Sequence, residues 1–216
     1  MAEADDETPG SAEPFLPQVR TLDALRKAAR ACRGCGLYQH ATQTVFGDGD
    51  AHARVLLVGE QPGNDEDLDG HPFVGPAGRV LYEGLAAAGI ARASTWVTNV
   101  VKHFKWEPRG KRRIHSKPNL REIHACLPWL EQEIAALRPD LIVCLGATAA
   151  QALLGSAFRV TRERGRPLPS TLAPHVIATV HPSSILRQRT RDDRQREMEA
   201  FIADLKVAAN LIGRVR

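Results

Sequence analysis

Four short runs of aliphatic and β-branched residues, at 54–59, 95–101, 140–146 and 175–180, alternate with stretches of helical periodicity. This alternation constrains the fold more than any other feature of the chain. Runs of this length without polar alternation suit strands buried on both faces. Between them the helix signals are explicit. Thr21 can N-cap a helix through Leu22, Leu25, Ala28 and Ala29, and Asn119 with Glu122 forms a capping-box pattern opening a helix to about Leu137. Further helices are expected over about 78–88, 147–154 and 192–212, with loops at 59–78 and 102–118. Strands alternating with helices predict an α/β fold, a three-layer α/β/α sandwich with a central, mainly parallel four-stranded sheet.

At 216 residues and 43% hydrophobic content, the chain has material for one core. A single domain is expected over 18–216. Residues 1–17 contain five acids and no Lys or Arg, which reads as a disordered acidic tail. With five of the 25 acids there, the remainder sets 20 acids against 29 bases, a net +9, and expects a polyanionic partner. No apolar run reaches membrane-spanning length and no secretory h-region is evident, so a cytoplasmic, nucleoid-associated protein with no membrane partner is expected. No long heptad seam is present, and a monomer is expected.

In open parallel sheets, ligands sit outside the carboxyl ends of the strands. The turn Gly59-Glu60-Gln61-Pro62-Gly63, Asn99, the basic loop and His181-Pro182-Ser183-Ser184 all follow such ends and should converge on one crevice. The alternative is four unrelated surface turns, since Gly, Pro and Ser are ordinary turn residues. The run Lys111-Arg112-Arg113-Ile114-His115 carries an imidazole on a basic loop. Neutral imidazole is a nitrogen nucleophile near pH 7; a plain phosphate-binding patch is the competing reading. Residues 102–121 hold eight Lys and Arg, Lys102 among them, against Glu107, with Phe104 and Trp106 interleaved as candidates to stack beside a nucleic-acid strand. Cys32 and Cys35 form a Cys-x-x-Cys pair suited to a metal, whereas Cys126 and Cys144 fall where a free thiol is ordinarily a small core hydrophobe. The spacing leaves Cys₄ zinc and a [4Fe–4S] cluster both open.

Three segments carry a family resemblance. The turn at 59–63, the stretch Gly70-His71-Pro72-Phe73-Val74-Gly75-Pro76-Ala77-Gly78 and His181-Pro182-Ser183-Ser184 resemble the signature motifs of family 4 uracil-DNA glycosylases. The positions of Cys32, Cys35, Cys126 and Cys144 are similar to that family's [4Fe–4S] ligand set. Gln61, where the family ordinarily has Ala, and the insertion 111–115 resemble the UdgX-type branch, whose members become covalently joined to uracil-containing DNA through that histidine. Asn64 departs from the Asp usual in that branch. The resemblance runs from about Leu22 to Ile212.

What it implies is a glycosylase that excises uracil from single- or double-stranded DNA and is then captured on the abasic sugar C1′ by His115. On this reading the base is read by Asn99 in a pocket including Gly59 and stacked on Phe73, with His181 donating to uracil O2. Glu60 accepts a proton from His115 or stabilises its cation. Gln61 orients the deoxyribose or Glu60, and Arg113 holds the loop or meets a phosphate. Ser183 and Ser184 enter the minor groove or bond phosphate. Two alternatives are an ordinary hydrolytic family 4 enzyme, in which the loop only clamps DNA, and a non-enzymatic iron–sulfur or zinc module that shields damaged sites.

Overall fold

The computed structural model describes residues 10–213. In chain order the sheet strands and hairpin are β1 (Asp48–Gly49), β2 (Val55–Gly59), β3 (Thr95–Asn99), β4 (Trp106–Arg109), β5 (Arg112–His115), β6 (Leu141–Leu145), β7 (Pro167–Leu168) and β8 (His175–Thr179). The α-helices are α1 (Leu22–Ala29), α2 (Asn64–Asp69), α3 (Pro76–Ala87), α4 (Leu120–Leu137), α5 (Ala147–Leu154), α6 (Val160–Glu163), α7 (Pro182–Leu186) and α8 (Arg191–Gly213).

The central sheet runs β1-β3-β2-β6-β8-β7. β3, β2, β6 and β8 are mutually parallel, and they are the four runs expected from sequence. Two-residue strands add antiparallel edges, β1 beside β3 and β7 beside β8, so the sheet has six strands rather than four. Such short edges carry no periodic signal. Every residue of β2, β3 and β6 is buried, as a doubly covered parallel sheet requires. Side chains alternate between two layers. Leu56, Val58, Ile142 and Cys144 face α1, α4 and α5, whereas Val55, Leu57, Val143 and Leu145 face α3, α7 and α8.

Among the parallel strands, β2 comes first in sequence and has β3 on one flank and β6 on the other. The order reverses between β2 and β6, and this is where an open α/β sheet forms its ligand crevice. The expected helix ends agree with the structure: Thr21 accepts from Ala24 N, and Asn119 and Glu122 exchange both capping-box bonds.

Two expected loops are partly ordered. α2 lies inside 59–78, and β4 with β5 makes a hairpin inside 102–118. The C-terminal side of the expected disordered tail is ordered. Ala12 is buried and donates its N–H to Ala125 O, and Glu13–Phe15 form a 3₁₀ turn. Residues 1–9 of that stretch lie outside the described residues. Among the described residues, no helix is long and apolar enough to cross a membrane.

Candidate active site

The crevice begins at the end of β2. Gly59 pairs with Asn99 across the β2–β3 ladder, and Val100 N and Val101 N donate to Gly59 O and Glu60 O. The two chain segments therefore leave the sheet strapped together. A Cβ on Gly59 would lie 2.3 Å from Asn99 Oδ1 and 2.7 Å from Phe73 Cζ, so only glycine lets these groups meet. Phe73 is held at φ 57°, a costly conformation for a non-glycine residue, by a turn pressed against Gly78. Glu66 braces this loop by accepting from both Gly63 N and Gly75 N at 2.9 Å. Asn99 is buried, and its Oδ1 has no hydrogen-bond partner. An orphaned buried acceptor costs about 1–3 kcal/mol, so this amide is set for a donor from a ligand.

His181 caps α7 and stands over the same space, its ring centroid 5.9 Å from that of Phe73. Its Nδ1 accepts from Ser183 N at 3.2 Å, so the neutral ring carries its proton on Nε2. Burial, with Arg187 and His115 adding to it and Glu60 opposing, lowers its pKa to about 4. The ring is thus a neutral donor at physiological pH. Ser183 Oγ lies 2.8 Å from Nδ1 and accepts from Arg187, while Ser184 Oγ donates to His181 O at 2.7 Å. In this structure both serines hold the histidine turn.

His115 reaches the crevice on the hairpin. β4 and β5 pair with Arg109 opposite Arg112, leaving the two-residue turn Gly110-Lys111, where Gly110 takes φ 60°. His115 Nε2 lies 3.4 Å from Glu60 Oε1, and its side chain is 49% exposed. Thr148, in the first turn of the helix after β6, donates to the other Glu60 oxygen. Burial works against the Glu60 carboxylate, but bonds from His115 and Thr148 and the nearby imidazoles outweigh it and lower the pKa. Glu60 is accordingly an anion between two histidines.

Gln61 takes a different role from the one expected. Its amide Nε2 donates to Lys105 O and Ser116 O, and its Oε1 accepts from Lys105 N. It staples both ends of the hairpin, and both of its amide hydrogens are spent there. Arg113 is the second clamp. It bonds Asp67, wholly buried, at 2.6 Å, as well as Asn64 Oδ1 and Thr42 Oγ1. Its guanidinium lies over Phe104 and Trp106. Asn64, the departure from the usual Asp, still supplies the acceptor. Phe104 is buried and so is not a free stacking platform, while the half-buried Trp106 donates to His40 O and lies against Arg113, propping the hairpin. Lys102 is likewise buried, away from any nucleic-acid partner. Lys111 and Arg112 remain exposed.

Sequence reasoning missed Thr148, Glu66 and Asp67. Only Thr148 had a usable signal, its place just past a strand end at the point of order reversal.

All four cysteines are buried in one core layer, behind the strap that carries Asn99. Lys102 N donates to Cys126 Sγ and Trp129 Nε1 to Cys32 Sγ, both at 3.2 Å. Burial pushes the Cys126 and Cys144 thiols up to about 12, and Cys35 and Cys32 add to the effect at Cys126, where Lys102 opposes it. Thiols so placed ionise only with a cationic group to offset the charge. Among the described residues, no three His, Cys, Asp or Glu side chains are grouped closely enough to hold a single metal ion. A cluster differs in giving each thiolate its own iron. A donor set of buried thiols with N–H groups directed at sulfur fits such a group.

Comparison with known proteins gives a consistent result. Residues 46–206 match the family described as Uracil DNA glycosylase superfamily. A type-4 uracil-DNA glycosylase from Thermotoga maritima is 36% identical over 82% of this chain and 90% of its own. One from Archaeoglobus fulgidus is 34% identical over 91% of this chain and 96% of its own. A third, from Pyrobaculum aerophilum, is 34% identical over 83% and 92% respectively.

Proposed function

The chain belongs to the uracil DNA glycosylase superfamily, and from that premise we propose that it excises uracil from DNA and is then captured on the abasic sugar by His115. Uracil-DNA glycosylase activity is the common ground with its type-4 relatives. The capture step goes further, and one observation carries it. A half-exposed imidazole stands 3.4 Å from an ionised Glu60, on a hairpin fastened at both ends, beside the crevice that holds the unpartnered Asn99 acceptor.

The chemistry runs as follows. The flipped base enters between Phe73 and Asn99, whose Oδ1 takes the N3–H of uracil while the amide N–H₂ donates to O4. Cytosine has no N3–H and offers a donor where the amide also donates. As the C1′–N1 bond breaks, its electron pair passes to the uracil ring. His181 Nε2–H donates to O2 as charge develops there, which is transition-state stabilisation by a neutral donor. Glu60 stays ionised and lies close to the electron-poor sugar. An imidazole nitrogen lone pair of His115 forms the new bond to C1′, and the cation left on the ring faces Glu60. The released uracil anion takes its proton from solvent. N-alkylated imidazole is a poor leaving group, so the adduct persists and each protein acts once.

The relatives' type-4 names favour a second reading, in which water takes C1′ and the enzyme turns over. A uracil-containing oligonucleotide on a denaturing gel separates the two. Capture gives a heat-stable shifted band, while hydrolysis gives abasic product without a shift. His115→Ser is expected to abolish the shifted band and to admit water, so that abasic product accumulates. A shifted band persisting in that variant would remove His115 from the proposal.

For the cysteines we favour a [4Fe–4S] cluster held by Cys32, Cys35, Cys126 and Cys144. Such a cluster would supply a covalent tie among the turn after α1, α4 and β6. Four iron and four sulfide per chain are expected from an anaerobic preparation. One zinc per chain and no sulfide would replace the cluster with a different group.

A further inference from the structure

Behind the base-reading amide lies a charged pair that the reaction does not touch. Lys102 and Glu133 are both fully buried and bonded to each other. The network around them is complete. Lys102 Nζ donates to Thr98 Oγ1 and to Asn99 O, each at 2.7 Å, and to Glu133 Oε2. Glu133 also accepts from Trp96 Nε1 and Thr98 Oγ1, each at 3.0 Å. All three ammonium donors are spent and both carboxylate oxygens are used.

Stability is a poor account of such a pair. Desolvating two charges offsets most of their attraction, and apolar residues of similar volume often serve as well. Position is a better one. The antiparallel edge strand β1 pairs with Val97 and Trp96 but not with Asn99. The Asn99 carbonyl therefore lies past the end of that ladder, and Lys102 bonds it instead, from three residues further along the chain. This closes the strap 98–102 into a fixed loop. The same strap grips the catalytic turn through Val100 N and Val101 N. At its far end, Lys102 N donates to Cys126 Sγ, on the helix that also carries Glu133.

We infer that Lys102, held by Glu133, is a positioning residue for uracil reading: it fixes the backbone of Asn99 so that the amide faces the base, and it ties that placement to the cysteine-bearing helix. The inference rests on the reading of Asn99 as the base-contacting amide. A misplacement of about 1 Å at such a group costs on the order of 100-fold in rate.

The test uses the full chain with its metal group in place and the neutral pair Lys102→Met/Glu133→Gln, which strands neither charge and leaves Trp96 Nε1 an acceptor. Asn99→Ala is the reference. Three quantities are read: thermal midpoint, affinity for a thymine-containing oligonucleotide, and single-turnover excision rate at saturating protein, which does not depend on the folded fraction. Positioning predicts near-parental midpoint and affinity, with excision slowed about 100-fold. Parental excision by the neutral pair, with Asn99→Ala inactive, overturns the inference and leaves the reading of Asn99 intact. Full excision by Asn99→Ala overturns that reading itself. Should the neutral pair fail to fold, Thr98→Val cuts one strut and keeps the ions. It is expected to slow excision about 10-fold, and an unchanged rate counts against positioning.

Discussion

At the scale of single residues, the site is defined by groups that have no room to be anything else. Gly59 ends β2, and from sequence it reads as a strand stop and part of a motif turn. Its more demanding role comes from two partners that sequence spacing cannot reveal, the Asn99 amide and the Phe73 ring. Neither is its neighbour in the chain, and both lie within 3 Å of where its Cβ would sit. Gly59→Ala is therefore expected to fold with a modest loss, about 1–3 kcal/mol of overpacking strain. Its excision rate should fall far more, because the added methyl pushes the reader or the stacking ring aside. Urea unfolding and single-turnover excision, measured on the same preparation, check the two halves. A variant that excises at the parental rate would mean the amide and ring need not approach this closely. The unpartnered Asn99 Oδ1 gives the same message in another form, since an acceptor left without a donor in a well-bonded core implies a ligand.

At the scale of elements, the hairpin β4–β5 decides what the crevice can do. An imidazole on a loose basic loop would sample many positions, whereas this one is fastened by Gln61 at its root and by Arg113 to Asp67 on α2. Gln61→Ala removes the staple while leaving Glu60, Asn99 and His181 in place. The expected outcome is that uracil is still excised, that the shifted band falls by on the order of 10-fold or more, and that free abasic product rises to match. A parental yield of shifted band would assign the fastening to Arg113 alone. The four long strands were legible because burial on both faces leaves an unbroken apolar run. The hairpin was not, because its residues are charged, its strands are four residues each, and what organises it is a glutamine 44 residues upstream of its nearest contact. Phe104 misled for a related reason. Aromatics among basic residues suit either a nucleic-acid platform or a prop for a guanidinium, and only the fold distinguishes them.

At the scale of the whole molecule, the sheet order brings distant polar turns to one end, and that much follows from alternation of strands and helices. The electrostatic consequence does not. Two histidines resist protonation: the half-buried His181 in the crevice, and the buried His103, whose Nε2 lies 2.9 Å from Thr44 Oγ1 on the far side of the strap. Burial lowers the pKa of each to about 4, against 6.5 in an open chain, although Asp67 raises that of His103 and Glu60 that of His181. The unfolded chain thus takes up these protons first as the pH drops. The rings' contribution to stability is complete above 6.5 and drains away on acidification, the loss ending near 4. At pH 5, His103 alone accounts for about 2 kcal/mol of it. Urea midpoints at pH 7 and pH 5 measure the drop, and His103→Asn, which keeps a polar partner for Thr44 and does not titrate, should shrink it. A chain equally stable at both pH values would mean that both rings can be protonated without leaving their sites, so that His181 could no longer be treated as a neutral donor fixed by its surroundings.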